Sequence, residues 1–160
     1  MFNYKKYIKV LSIFLIILII SGCSSKKTEK LSKTCKFISD QSINGYIITT
    51  KYKIYTIDDI VTKVVHKEVI DSERKEIIDF YKNEYDSMYK NYNDTYGGYT
   101  YNIDVKKNQL ILNVSIDYNE YNIKKYIKDN NGIRDYVNKK NQYTLKGITK
   151  MYKNSGATCK

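Results

Sequence analysis

The 160-residue chain has no proline, no tryptophan, one histidine (His66), two arginines and three cysteines. Each scarcity narrows the chemistry open to it. Nucleophilic triads and most zinc sites need an imidazole as base or ligand, so any such site must run through His66. His66 stands between Val65 and Lys67 in a β-patterned run, where a structural histidine is the expectation. No further pair of Cys or His lies near the cysteines to complete a metal site, and neither metal nor cofactor is expected. Sugar-binding platforms favour the tryptophan that is missing. Lysine, asparagine, isoleucine and tyrosine are used heavily instead, a bias that an AT-rich genome writes without functional demand.

The most informative segment is the first 23 residues. Lys5, Lys6 and Lys9 precede an apolar run of eleven residues, Val10 to Ile20, and then comes Ile20-Ser21-Gly22-Cys23. A basic start, an apolar stretch and small residues before a cysteine form the pattern of a bacterial lipoprotein signal peptide. The run is shorter than the roughly 20 residues that a membrane-spanning helix needs. The expectation is recognition of Ile20, Ser21 and Gly22 by the signal peptidase, and a diacylglyceryl and palmitate anchor on Cys23. Residues 1–22 are then the signal peptide, 23–34 a lipidated basic tether, and 35–160 an extracytoplasmic domain on the cell membrane. Loss of Lys5, Lys6 and Lys9 takes the formal charge from +11 to +8. A single domain of this size is too small for a two-lobed solute receptor. Cys35 and Cys159 flank the domain on the side of the membrane where disulfides persist, which favours a bond between them.

Within the domain, Ile48, Thr50, Tyr52 and Ile54 alternate with Thr49, Lys51 and Lys53, and Val61, Val65 and Val69 follow the Asp58-Asp59 break. This reads as a hairpin. Asp71 or Ser72 is placed to cap a helix reaching about Tyr92, with Ile77, Tyr81, Tyr85, Met88 and Tyr92 in one stripe. Residues 99–105 and 110–118 alternate on either side of a tight connection and give a second hairpin. Weaker helical patterns follow, the last from about Gln142 to Asn154. The expected architecture is α+β: an antiparallel sheet of about four strands in two hairpins, packed on one face by helices.

With these residues in view, the chain resembles the small bacterial lipoproteins of the YehR type, a family of unknown function. The matching features are Cys23 in its lipobox, the Tyr52-Lys53 strand, Gly98-Tyr99-x-Tyr101 and Ile116-Asp117-Tyr118. The resemblance implies a compact α+β ectodomain on a lipid anchor and supplies no catalytic residue.

The paired carboxylates Asp58-Asp59 and Asp117/Glu120 suit turns and a solvated strand face better than a glycosidase cleft. Gly97-Gly98 lacks the Lys-Ser/Thr of a phosphate loop. Tyr96, Tyr99 and Tyr101, set among lysines, form the candidate ligand surface. The leading expectation is a non-enzymatic envelope protein that binds another envelope protein or stays structural. The alternatives are a binding module for an anionic ligand, wall polymer or lipid headgroup, and an envelope hydrolase. Nucleic acid is not an expected partner.

Overall fold

Alternating polar and apolar residues make strands, and in the computed structural model, which describes residues 27–160, six strands join one antiparallel sheet. They are β1 (Lys30–Gln41), β2 (Tyr46–Ile57), β3 (Ile60–Asp71), β4 (Tyr99–Lys106), β5 (Gln109–Asp117) and β6 (Thr158–Cys159), in the spatial order β4-β5-β3-β2-β1-β6. The helices are α1 (Lys75–Tyr96), α2 (Ile123–Asp129) and α3 (Leu145–Asn154), with 3-10 turns at Ser42–Asn44 and Asn131–Tyr136. The α+β class stands. The sheet is larger than the four strands expected, and both extra strands have physical reasons for being hidden. Half of β1 is lysine, serine and threonine, and its apolar residues fall on both faces, so its alternation carries little hydropathy contrast. β6 is two residues long and pairs only with Cys35 and Lys36, too short to show any period.

The β2–β3 turn is Asp58-Asp59 with φ of 47° and 64°. Two consecutive left-handed residues make the tight turn whose twist suits a hairpin. A register irregularity next to it, between Tyr55 and Thr56, has a consequence for β3. Val61 is buried in the core, whereas Val65 and Val69 lie on the opposite face. The three valines therefore do not share one face as their spacing predicts.

All helices that pack on the sheet use the same face. Cys35, Ile54 and Val64 on that face meet Tyr143, Ile148 and Ala157 around α3. Ile70, Leu110, Leu112 and Val114 meet Ile78 and Tyr89 of α1. The stripe predicted for α1 is present, with Ile77, Tyr81, Tyr85, Met88 and Tyr92 packed at its edge. The helix starts later than its expected cap: Arg74 occupies the cap position, without a side-chain cap bond. Ser72 serves another purpose, donating from its hydroxyl to the Gly45 carbonyl at 2.7 Å and accepting from the Arg74 amide at 3.1 Å. It fastens the end of β3 to the β1–β2 turn.

Two glycines are required by contact. A Cβ on Gly147 would stand 2.0 Å from the Tyr136 carbonyl oxygen, so glycine lets α3 lie directly on the preceding 3-10 turn. Gly98, at φ 74°, has the Asp117 carbonyl oxygen 2.5 Å from the same imagined atom. That close approach lets β4 leave α1 and enter the sheet at once.

Candidate functional site

The sheet's register places four polar side chains where the two helical layers meet. Thr50 pairs with Glu68, and Tyr52 with His66, across β2 and β3. On one side of them lie Ile54 and Val64 under α3; on the other lie Ile70 and Leu112 under α1. The Thr50 hydroxyl donates to one Glu68 carboxylate oxygen at 2.7 Å, and the Tyr85 hydroxyl donates to the other. Tyr89 Oη lies 3.2 Å from His66 Nε2, and the Tyr52 ring meets the imidazole edge-on at 5.6 Å. Tyr52 in turn stacks on Tyr152 of α3 at 4.1 Å. These contacts join α1 and α3 through the polar seam rather than through a continuous apolar core.

Burial sets the electrostatics of the seam. Desolvation penalises imidazolium and lowers the His66 pKa to about 4. At neutral pH the ring is therefore uncharged. Burial first, and the nearby Glu68 carboxylate second, push the Tyr89 phenol well above its ordinary range. Tyr85 rises for the same leading reason, reinforced by its hydrogen bond to Glu68. A neutral imidazole facing a neutral phenol is a stable hydrogen-bonded pair, and the Tyr85 phenol beside it is a donor to Glu68. Among the described residues, no three of His, Cys, Asp and Glu gather to hold a metal ion.

Tyr96, Tyr99 and Tyr101 do come together, as the upper part of a tyrosine cluster that spans α1, β4 and α2. Tyr99 contacts Tyr89, Tyr92 and Tyr121, and burial pushes its pKa up to about 12. Tyr96 lies edge-on to Tyr126 at 5.0 Å, donates to Asp129 at 3.2 Å and carries Lys125 over its ring at 5.2 Å. Tyr101 donates to the Asp86 carboxylate at 2.8 Å. All three rings are half-buried. Their faces are largely occupied by tyrosines of the same cluster, and the hydroxyls of Tyr96 and Tyr101 by acids of the same chain.

Cys35 and Cys159 are joined, 124 residues apart in sequence. Backbone bonds between Thr34 and Lys160, 3.1 and 2.9 Å long, continue the pairing beyond the disulfide. The chain's last strand is thereby fixed to its first. Ile20, Ser21, Gly22 and Cys23 lie outside the described residues.

The sequence does not reveal the pairs of the polar seam, because Thr50–Glu68 depends on cross-strand register and Tyr89–His66 on how α1 lies across the sheet. Their only local signal is the appearance of Thr50, His66 and Glu68 on otherwise apolar alternating positions.

The features above define a class: a disulfide-closed α+β domain with one antiparallel sheet whose single covered face carries two helical layers. Among solved structures the fold is similar to the NMR structure of the Escherichia coli YehR protein. That comparison has a TM-score of 0.52 at 20% identity and covers 82% of this chain and 91% of that one. The chain therefore has a YehR-like fold. A weaker likeness, with a TM-score of 0.48 at 13% identity, links it to the NMR structure of a protein from Streptococcus pneumoniae TIGR4, covering 87% and 89% of the two chains. No protein-family model matches the chain, and no curated protein matches it.

Proposed function

We propose that this protein is a lipid-anchored bacterial envelope lipoprotein of the YehR type, acting by binding rather than by catalysis. The observation that carries the reading is the pairing of a lipobox at Ile20-Ser21-Gly22-Cys23 with a domain closed by the Cys35–Cys159 disulfide. A disulfide joining the ends of the folded region is stable in an exported compartment and rare in the cytosol. The first strand begins at Lys30, seven residues after Cys23. An anchor at Cys23 would hold the domain directly at the membrane.

The binding role is supported by the chemistry of the polar seam. His66 is neutral, buried and engaged by Tyr89, while Glu68 accepts from Thr50 and Tyr85. Each group is used in joining α1 to the sheet, and the neighbouring Tyr52 joins α3 through its stack on Tyr152. Partners of this reading are the membrane, through the diacylglyceryl group, and a component of the envelope.

Metabolic labelling with an alkynyl palmitate tests the anchor. The native chain should take the label and fractionate with membranes, and Cys23→Ser should lose the label and retain residues 1–22. A native chain released without lipid would sink the reading.

A further inference from the structure

One whole face of the sheet carries no helix among the described residues, and its charges are arranged in an unusual way. Lys36 of β1 pairs with Lys51 of β2, and Lys51 pairs with Lys67 of β3. Three lysines thus stand in one row across adjacent strands, with about 4.8 Å between strands. Lys53 adds a fourth charge on the same face, two residues along β2. All four side chains are exposed. Like charges directly opposite one another destabilise a sheet. None of the four makes an ion pair among the described residues: Glu29 instead takes Lys63 at 2.6 Å. The acids of this face, Asp40, Asp71, Asp104 and Asp117, stand in rows away from the three lysines.

The same side also exposes apolar residues. Ile38 is 53% exposed and Ile47 37%. Leu31, 51% exposed, lies at the other end of β1. The lysines therefore sit between Leu31 at one end of β1 and Ile38 and Ile47 towards the other, where Asp40 and Asp71 stand beside Ile47.

We infer that this open face docks on an anionic bilayer surface, its lysines among lipid phosphates and its isoleucines in the headgroup–acyl boundary. A polyanion would satisfy the lysines but offer the isoleucines nothing, whereas a bilayer interface accommodates both. A protein partner fits less well, because lysine is depleted at the centres of protein interfaces. The inference deepens the proposed function by naming the surface and the phase it meets, and it rests on that reading for its location. Seven residues of extended chain span at most about 25 Å, which keeps β1 within reach of the leaflet.

The test uses the full chain purified from its membrane and reconstituted into vesicles of phosphatidylcholine with phosphatidylglycerol, or of phosphatidylcholine alone. Lysine acylation is then read residue by residue by mass spectrometry. Lys36, Lys51, Lys53 and Lys67 should react about tenfold more slowly on the anionic vesicles, and raised salt should abolish the difference. In the K36Q/K51Q/K67Q variant, Lys53 should regain the reactivity it has on the neutral vesicles. That variant removes a like-charge row, so lost protection is not lost folding.

Equal reactivity on both vesicles overturns the inference. So does protection that appears instead at Lys33, Lys146, Lys150 and Lys153, the lysines beside α3. Protection that persists without anionic lipid points to a second copy or another partner and also overturns it. Intact mass reads the lipid on Cys23 separately. A lipidated chain without protection of the row removes the docking face and keeps the anchor; an unlipidated chain with protection does the reverse.

Discussion

The two faces of the sheet are built from the same strands by the same alternation, yet they carry opposite loads. On β5, Leu110, Leu112 and Val114 are buried under α1, while Ile111, Asn113 and Ser115 face away from both helical layers. On β2, Ile54 is fully buried, while Lys51 and Lys53 stand in the open. The covered face holds the chain together. The open face is tolerated by the fold and contributes charge at some cost in stability. Such a division leaves surface chemistry free to vary without unfolding the domain, and a binding function is best sought on the face that folding does not need.

The largest way to break the covered face is to cut its staple. Cys35 is fully buried, and its bond to Cys159 closes a span of 124 residues. In the chain-entropy picture that closure is worth about 5 kcal/mol. The C35S/C159S variant should lose much of this, read as a lower denaturant midpoint with a steeper slope, because the unfolded chain freed of the bond exposes more surface. Next in size is a neighbouring pair on β5. Leu112→Ala should cost about 2–5 kcal/mol, whereas Ile111→Ala, one residue away on the open face, should cost less than about 1 kcal/mol. Similar losses for the two would mean that the open face is packed against something.

Much of this division is legible in the sequence, and what is not has identifiable causes. The period-two runs at 48–54 and 110–118 and the Tyr81-Tyr85-Tyr92 stripe specify the core, because hydropathy contrast and spacing are both strong there. β1 escapes notice because its apolar residues fall on both faces, Cys35 and Phe37 on the covered one and Leu31 and Ile38 on the open one, which breaks the alternation. The face assignment of Val61 fails because an irregularity at Tyr55/Thr56 shifts the parity, and no local residue announces it. The half-buried setting of Tyr96, Tyr99 and Tyr101 depends on α2 folding back with Tyr121 and Tyr126. The Lys36–Lys51–Lys67 row joins residues 15 and 16 positions apart, and only register reveals it.

A pH titration sharpens the comparison from the covered side. His66 has its pKa lowered to about 4 by burial, against an ordinary value of 6.5. The unfolded chain therefore binds this proton more readily than the folded one. The stabilisation is complete above pH 6.5, declines as the pH falls towards 4, and does not decline further from this group below that. Its size is about 3 kcal/mol. Subtracting the profile of His66→Gln from that of the native chain isolates this term from the carboxylates that titrate nearby. A flat difference between pH 6.5 and 4 would mean that the imidazole is solvated in the folded state.

The smallest expected effect belongs to the open face and has the opposite sign. Opposed like charges cost about 0.2–1 kcal/mol per pair. The row contains two such pairs, Lys36–Lys51 and Lys51–Lys67. The K36Q/K51Q/K67Q variant should therefore gain about 0.4–2 kcal/mol at low salt, with the gain shrinking as salt screens the native repulsion. Lys→Gln at Lys90, an exposed position on α1, supplies the comparison and should change stability little. Most substitutions destabilise a protein, so a gain from three changes on one face would mark charge kept against the interest of folding. A loss, or no salt dependence, would mean that the three ammonium groups splay apart and that the row stores no repulsion for an anionic surface to relieve.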